Sequence, residues 1–191
     1  GGEIRWRNIF IKELKPSCCE VDDEVGYVDL FDGKSLKGWQ GATDNYEVVD
    51  GSIRCKKGKG GTLYSERIFK DFSVKLEFKL PPGGNNGLAI RYPATGNAAY
   101  DGMCELQVLD SAHPKYAKLD PRQHHGSAYG LAPAKRGFLR QTGEWNEQEV
   151  IVRGSWVTVF LNDEMILDAD LSRTTNPMNG KAHPGLSLES G

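Results

Sequence analysis

Apolar and polar residues alternate in short runs along most of this chain and almost nowhere recur at helical spacing. Residues 71–80, DFSVKLEFKL, set Phe72, Val74, Leu76, Phe78 and Leu80 on one face and Ser73, Lys75, Glu77 and Lys79 on the other. Such alternation predicts an antiparallel strand with one face in a core and one in water. YEVVDGSIRCK (46–56) holds Asp50-Gly51 between two runs, which predicts a hairpin. EIRWRNIFIKEL (3–14) alternates through Ile4 and Trp6, slips by one residue, and resumes with Ile9 and Ile11. NGLAIRYP and MCELQVLD read as central strands. QEVIVRGSWVTVFLNDEMILDADL (148–171) reads as three strands joined by turns at Arg153-Gly154 and Asn162-Asp163. Residues 111–147 are rich in Pro, Gly, His and Lys and predict long loops with short strands. A loop region of that length in a compact domain is often functional. Many short strands without alternating helices predict an all-β fold, a sandwich of antiparallel sheets.

Composition narrows this picture. The 191 residues suffice for one good core. The formal net charge is -2, and both signs are mixed along the chain, without the basic stripe of a nucleic-acid binder. No run of about 18 apolar residues is present, so no membrane span is expected. The chain starts at Gly1 without a signal-peptide pattern and reads as a processed or excised chain, whose address the sequence does not carry. Cys18, Cys19, Cys55 and Cys104 match no zinc spacing. Cys104 reads as a buried small hydrophobe, and a disulfide from Cys18 or Cys19 to Cys55 is left open.

The run YDGMCELQVLD (100–110) concentrates candidate chemistry. In a strand, Glu105 and Gln107 share one face, while Leu106 and Val108 enter the core. Asp110 follows the core face by strict alternation and joins Glu105 only across a bulge. In GGNNGLAIRY, Gly87, Ala89 and Arg91 share a face beyond Asn86. If the two strands pair, the small residues leave room beside Glu105, and Arg91 can orient a carboxylate or a sugar hydroxyl. The loop that follows contributes His124, His125, Tyr129 and Lys135, and further on stands Trp145. Histidine suits proton transfer or metal ligation, but adjacent histidines point apart, so at most one of His124 and His125 faces a common site. His113 and His183 lie elsewhere in the sequence, and no histidine-rich metal site follows from the spacing. Trp145 reads either as a sugar-stacking platform or as core. GKGG (58–61) is a turn, lacking the ending of a phosphate loop, and DDE (22–24) reads as solvated linker.

Six stretches in order carry a family resemblance: YVDLFDGKSLKGW (27–39), GGNNGLAIRY (83–92), YDGMCELQVLD (100–110), HGSAYGL (125–131), GEWNEQEV (143–150) and VTVFLND (157–163). They resemble the 3-keto-disaccharide hydrolase family, found in secreted proteins of Bacteroidetes and planctomycetes. The resemblance implies a concanavalin-like jelly roll and a secreted or periplasmic protein. The family finishes with a segment like GEIRWRNIFIKEL after one like GLSLESG, whereas here that strand comes first. Residues 1–16 are therefore expected to hold a displaced terminal strand, 17–26 a linker and 27–191 the jelly roll. The strand is expected to complete the fold within the chain, or by exchange in a strand-swapped homodimer or with a tandem copy.

The resemblance implies a carbohydrate-active hydrolase that cleaves 3-keto-glycosides or disaccharides. A ketone at C3 acidifies the C2 hydrogen. A base removes it, the C1 substituent leaves, and water adds to the enone. Glu105, His125 and Asp110 are the catalytic candidates, with Glu105 or His125 as base; His125 is favoured over His124 because it begins the family-like HGSAYG. Arg91, His125 or a divalent cation (Ca, Mg or Mn) held by Glu105 and Asp110 would stabilise the enolate. Asn86, Arg91, Gln107, Tyr129, Lys135 and Trp145 are the candidates for binding the oligosaccharide or glycoside. The strand is also similar to the Glu-x-Asp-x-x-Glu strand of laminarinase-type glucanases, but Gln107 and Asp110 replace the middle and last acids, so those roles do not transfer. The alternative is a lectin-like module that binds sugar without proton transfer.

Overall fold

The computed structural model describes residues 3–15 and 26–191. Cys18, Cys19 and the DDE stretch lie outside the described residues, as does most of the linker. Cys55 and Cys104 carry free thiols, Cys104 buried as expected.

Among the described residues, twelve strands form two antiparallel layers. In chain order they are β1 (Arg5–Glu13), β2 (Val28–Asp29), β3 (Trp39–Gly41), β4 (Tyr46–Val49), β5 (Ser52–Cys55), β6 (Leu63–Ser65), β7 (Phe72–Lys79), β8 (Asn85–Ile90), β9 (Cys104–Leu109), β10 (Trp145–Arg153), β11 (Trp156–Leu161) and β12 (Glu164–Asp170). One layer is an eight-stranded sheet in the order β12-β11-β10-β7-β1-β5-β4, with β2 beside β1. The opposite layer consists of two short pieces, β3-β6 and β8-β9, the latter widened by a bridge from Leu106 to Ala128. The one α-helical turn among the described residues, α1, spans Ala98–Asp101. The fold is the expected all-β jelly-roll sandwich.

The alternating patterns become the core. Val74, Leu76 and Phe78 of β7, Val150 and Val152 of β10, and Val157 and Val159 of β11 are buried against Leu106 and Val108 of β9. Strand β1 lies inside the eight-stranded sheet, antiparallel to β5 on one side and β7 on the other. The phase slip read between Trp6 and Ile9 is a register shift between Arg7 and Phe10. Asn8 sits there at φ 50°, in the left-handed region that a bulge needs. Its side-chain amide and the guanidinium of Arg7 both donate to Glu77 on β7, which fixes the bulge. At the β4–β5 hairpin, Asp50 and Gly51 have φ 51° and 68°, the pair of positive values that a type I′ turn requires.

Candidate active site

β8 and β9 pair in a register that sets Gly87 opposite Gln107 and Ala89 opposite Glu105. On the other side of β9, Tyr129 donates its backbone N–H to the carbonyl of Glu105 (2.8 Å), and Gly126 donates to the carbonyl of Gln107 (2.8 Å). With Leu106 bridged to Ala128, Tyr129 lies across from Glu105 on the same face. One face thus carries Ala89, Glu105 and Tyr129 in a row, with Gly87 and Gln107 in the next. The expected pairing and face of these strands are realised.

Glu105 is the central group. Its carboxylate lies over the backbone of Gly87: a Cβ on that glycine would stand 1.7 Å from Glu105 Oε1. No hydrogen bond or ion pair holds the Glu105 side chain among the described residues. Burial raises its pKa above the ordinary glutamate value. With Asn86, Gly87 and Ala89 it borders a cleft of about 530 Å³ that runs along β8 toward β6. A half-buried, unpaired carboxylate beside open space is poised to take a proton.

Tyr129 is next to it and is oriented by others. Its hydroxyl accepts a hydrogen bond from Gln123 Nε2 (3.0 Å). Its ring meets Tyr100 edge-on at 6.3 Å, and Tyr100 packs against His183 at 4.9 Å. The ammonium of Lys181 stands 3.5 Å over the Tyr100 ring. His183 Nδ1 is buried without a partner, and burial, then the charge of Lys181, pulls the imidazole pKa down. Tyr100, Gln123, Lys181 and His183 were not among the sequence candidates. His183 comes from 54 residues beyond Tyr129, and no local pattern announces its approach.

The remaining candidates fall elsewhere. Arg91 does not share the face of Glu105. Its backbone turns to φ 49°, and the side chain is buried, where it donates to the carbonyls of Lys70, Gly154 and Leu188 and to the carboxylate of Asp71 (2.9 Å). It ties together three segments, and its guanidinium is committed to them and not to a sugar beside Glu105. His125 lies between the layers, its ring 5.0 Å from that of Phe78 and its Nδ1 accepting from Leu109 N–H (3.4 Å). Burial pushes its pKa down to about 3, so the ring is neutral and enclosed. Asp110 is buried and accepts from the N–H of Gly83 (2.8 Å), fixing the turn before β8. It lies just past the end of β9, five residues or roughly 16 Å of strand from Glu105, and is bonded to another partner. Among the described residues no three His, Cys, Asp or Glu side chains gather into a metal-sized cluster.

Gln107 is on the Glu105 face but is buried, and it donates to Asn85 Oδ1 (2.7 Å). The side chain of Asn86 accepts from the N–H of Gly87 (2.8 Å) at the edge of the cleft. Lys135 is exposed beside β12, its N–H bonded to the carbonyl of Ile166. Trp145 is on the outer face of the large sheet, with Arg7 4.0 Å and Lys79 4.8 Å from its ring. Two cations hold it, and it is neither core nor beside Glu105. His124 is buried with Nδ1 unpartnered.

Residues 26–190 match the model of the 3-keto-alpha-glucoside-1,2-lyase-like domain. The chain belongs to that family. The chain is 30% identical over 174 residues to a 3-keto-disaccharide hydrolase of Bacteroides thetaiotaomicron, covering 78% of this chain. The chain spans 60% of the length of that relative. Among solved structures, a provisionally named glycosyl hydrolase from Parabacteroides distasonis superposes with a TM-score of 0.75 at 22% identity, over 85% of this chain and 86% of the other. Another from the same organism gives 0.58 at 26% identity, over 75% and 64%. The first likeness shows the jelly-roll fold. The family match leaves out β1, which precedes residue 26 and nevertheless occupies the interior of the sheet.

Proposed function

We propose that this protein is a carbohydrate-active hydrolase that cleaves the glycosidic bond of a 3-keto-glycoside, with Glu105 as the base. The observation that carries the reading is the unpaired, half-buried Glu105 carboxylate lying over Gly87 at the cleft. The family and the curated relative support the substrate class.

A double-displacement glycosidase needs a second carboxyl about 5.5 Å from the first. Asp110, the other carboxyl among the catalytic candidates, is committed to Gly83. A 3-keto substrate needs one base only. Glu105 takes the C2 proton, and the electron pair moves into the C3 carbonyl as an enolate. The enolate then expels the C1 oxygen substituent, which leaves as an alcohol on taking up a proton. Water adds to C1 of the enone and a proton returns to C2, so the net change is hydrolysis. Tyr129 is the donor this reading places at the enolate oxygen. Its hydroxyl accepts from Gln123 and keeps its own proton to give.

The test is incubation with a 3-keto-glucoside and with its unoxidised parent, for the chain and for Glu105→Gln, with and without chelator. The expected result is cleavage of the keto substrate alone, lost in Glu105→Gln while binding persists. Cleavage of the parent alone would overturn the reading in favour of a conventional glycosidase. Binding without turnover in either form would assign a lectin-like module.

A further inference from the structure

Glu105 has tyrosines on both flanks. On one side lies Tyr129, with Tyr100 behind it. On the other, Tyr64 and Tyr92 border the same cleft as Glu105, and the proposed reaction leaves them without a task.

Tyr64 is the middle residue of β6. Its neighbour Leu63 packs on the core, so alternation turns Tyr64 to the outer face, the one that carries Glu105. The ring lies back over Gly41 of β3, where a Cβ would stand 2.7 Å from its Cε1. Tyr92 follows just after β8, and its ring meets that of Tyr64 edge-on at 5.6 Å. Its hydroxyl donates to the carbonyl of Gly96 (3.1 Å). The loop between them is closed by the N–H of Asn97 on the Asp101 carboxylate (2.6 Å). Both rings are therefore set by the protein's own contacts and need no ligand to order them.

The surroundings of the pair are apolar, with Pro93 and Ala94 continuing its wall. Among the described residues the charged side chains on this cleft are Glu66, Arg91 and Glu105. Arg91 is spent on Asp71 and three carbonyls, and Glu66 is exposed.

The proposed reaction fixes which part of the substrate meets these rings. C2 must lie at Glu105, and the C3 oxygen at Tyr129. C1 is the other ring neighbour of C2, so with C3 turned toward Tyr129, C1 and its substituent point the opposite way, across β8. The small side chains of Gly87 and Ala89 keep the floor low there. The next side chains in that direction are Tyr64 and Tyr92.

We propose that Tyr64 and Tyr92 form the leaving-group subsite and select 3-keto-glucosides whose C1 substituent is flat and apolar, an aryl or arylmethyl group. The inference rests on the reading of Glu105 as the base and adds the class of group that is expelled. Two rings held edge to face offer an aromatic substituent both a face and an edge to pack on. A second sugar would leave hydroxyls without partners against the same wall.

The test compares 3-keto-glucosides carrying benzyl, methyl and a second glucose at C1. Benzyl alcohol and methanol are alike in acidity, so a preference between them reports binding and not leaving-group chemistry. The kcat/KM for the benzyl compound is expected to exceed the other two by about tenfold. That ratio should fall to near one in Tyr64→Ala and in Tyr92→Ala, and survive in Tyr92→Phe, which keeps the ring. Calorimetric titration with unoxidised benzyl glucoside reads the subsite without turnover, and its affinity should drop about tenfold in both alanine variants. Absence of turnover on all three compounds, with this tyrosine-dependent binding intact, would strike the reaction and leave the subsite standing. Turnover without a benzyl preference, or with one that Tyr100→Ala removes and Tyr92→Ala does not, would overturn the subsite. A preference for the glucosyl compound that Tyr92→Ala abolishes would assign the wall to a second sugar and overturn the apolar class.

Discussion

The Glu105 carboxylate lies where it does because Gly87 lacks a methyl group. Gly87→Ala places a carbon 1.7 Å from Glu105 Oε1 and must swing the carboxylate away. The expected result is a loss of turnover of more than tenfold with unchanged circular dichroism, measured on the 3-keto substrate. Because burial raises the Glu105 pKa, the base is lost on acidification at a pH above the ordinary glutamate value. The acid limb of kcat/KM should therefore lie above pH 4.5 and vanish in Glu105→Gln. The same shift acts on stability with the opposite benefit. A carboxyl whose folded pKa is raised costs stability as pH rises through that window, so Glu105→Gln should melt higher than the native chain at pH 7. His125 works the other way. Its pKa falls from 6.5 to about 3 on burial, so folding loses up to on the order of 4 kcal/mol as pH drops from 6.5 toward 3. His125→Gln should flatten the unfolding free energy against pH across that range. Arg91 belongs to stability too. Arg91→Met leaves three carbonyls without this donor and Asp71 with only the N–H of Gly154, and denaturant titration should show a loss of about 3–5 kcal/mol.

At the level of strands, the sequence was informative wherever local chemistry decided the outcome. The alternation of β7, the Asp50-Gly51 hairpin and the Asn162-Asp163 turn (φ 50° and 71°) are all set by neighbouring residues. The slip in β1 was visible because one extra residue exchanges the faces of a strand. The pairing of β8 with β9 was legible for the same reason, and with it the room that Gly87 and Ala89 leave beside Glu105. Arg91 was not, because its positive φ rotates the side chain out of the alternation just where β8 ends. His125 and Trp145 were illegible for another reason: whether a ring faces a cleft, a core or two cations is decided by segments far away in sequence. Tyr100, His183 and Lys181 meet only through the tertiary fold. At the bulge, Asn8→Val should cost about 1–3 kcal/mol in thermal or chemical denaturation. A β-branched residue resists φ 50° and cannot donate to Glu77.

Across the whole molecule, the two layers are built unequally: one broad continuous sheet faces two narrow ribbons. The broad sheet is held together through β1, which touches both halves. Its position has a consequence for how the protein is made. On the ribosome, residues 3–14 emerge before their partners, which are complete only after about residue 55 on one side and residue 79 on the other. Until then a nine-residue strand waits with both flanks and the Trp6, Ile9 and Ile11 face bare, the situation in which nascent chains recruit chaperones or aggregate. Once the partners arrive, closing contacts some seventy residues apart is a slow search.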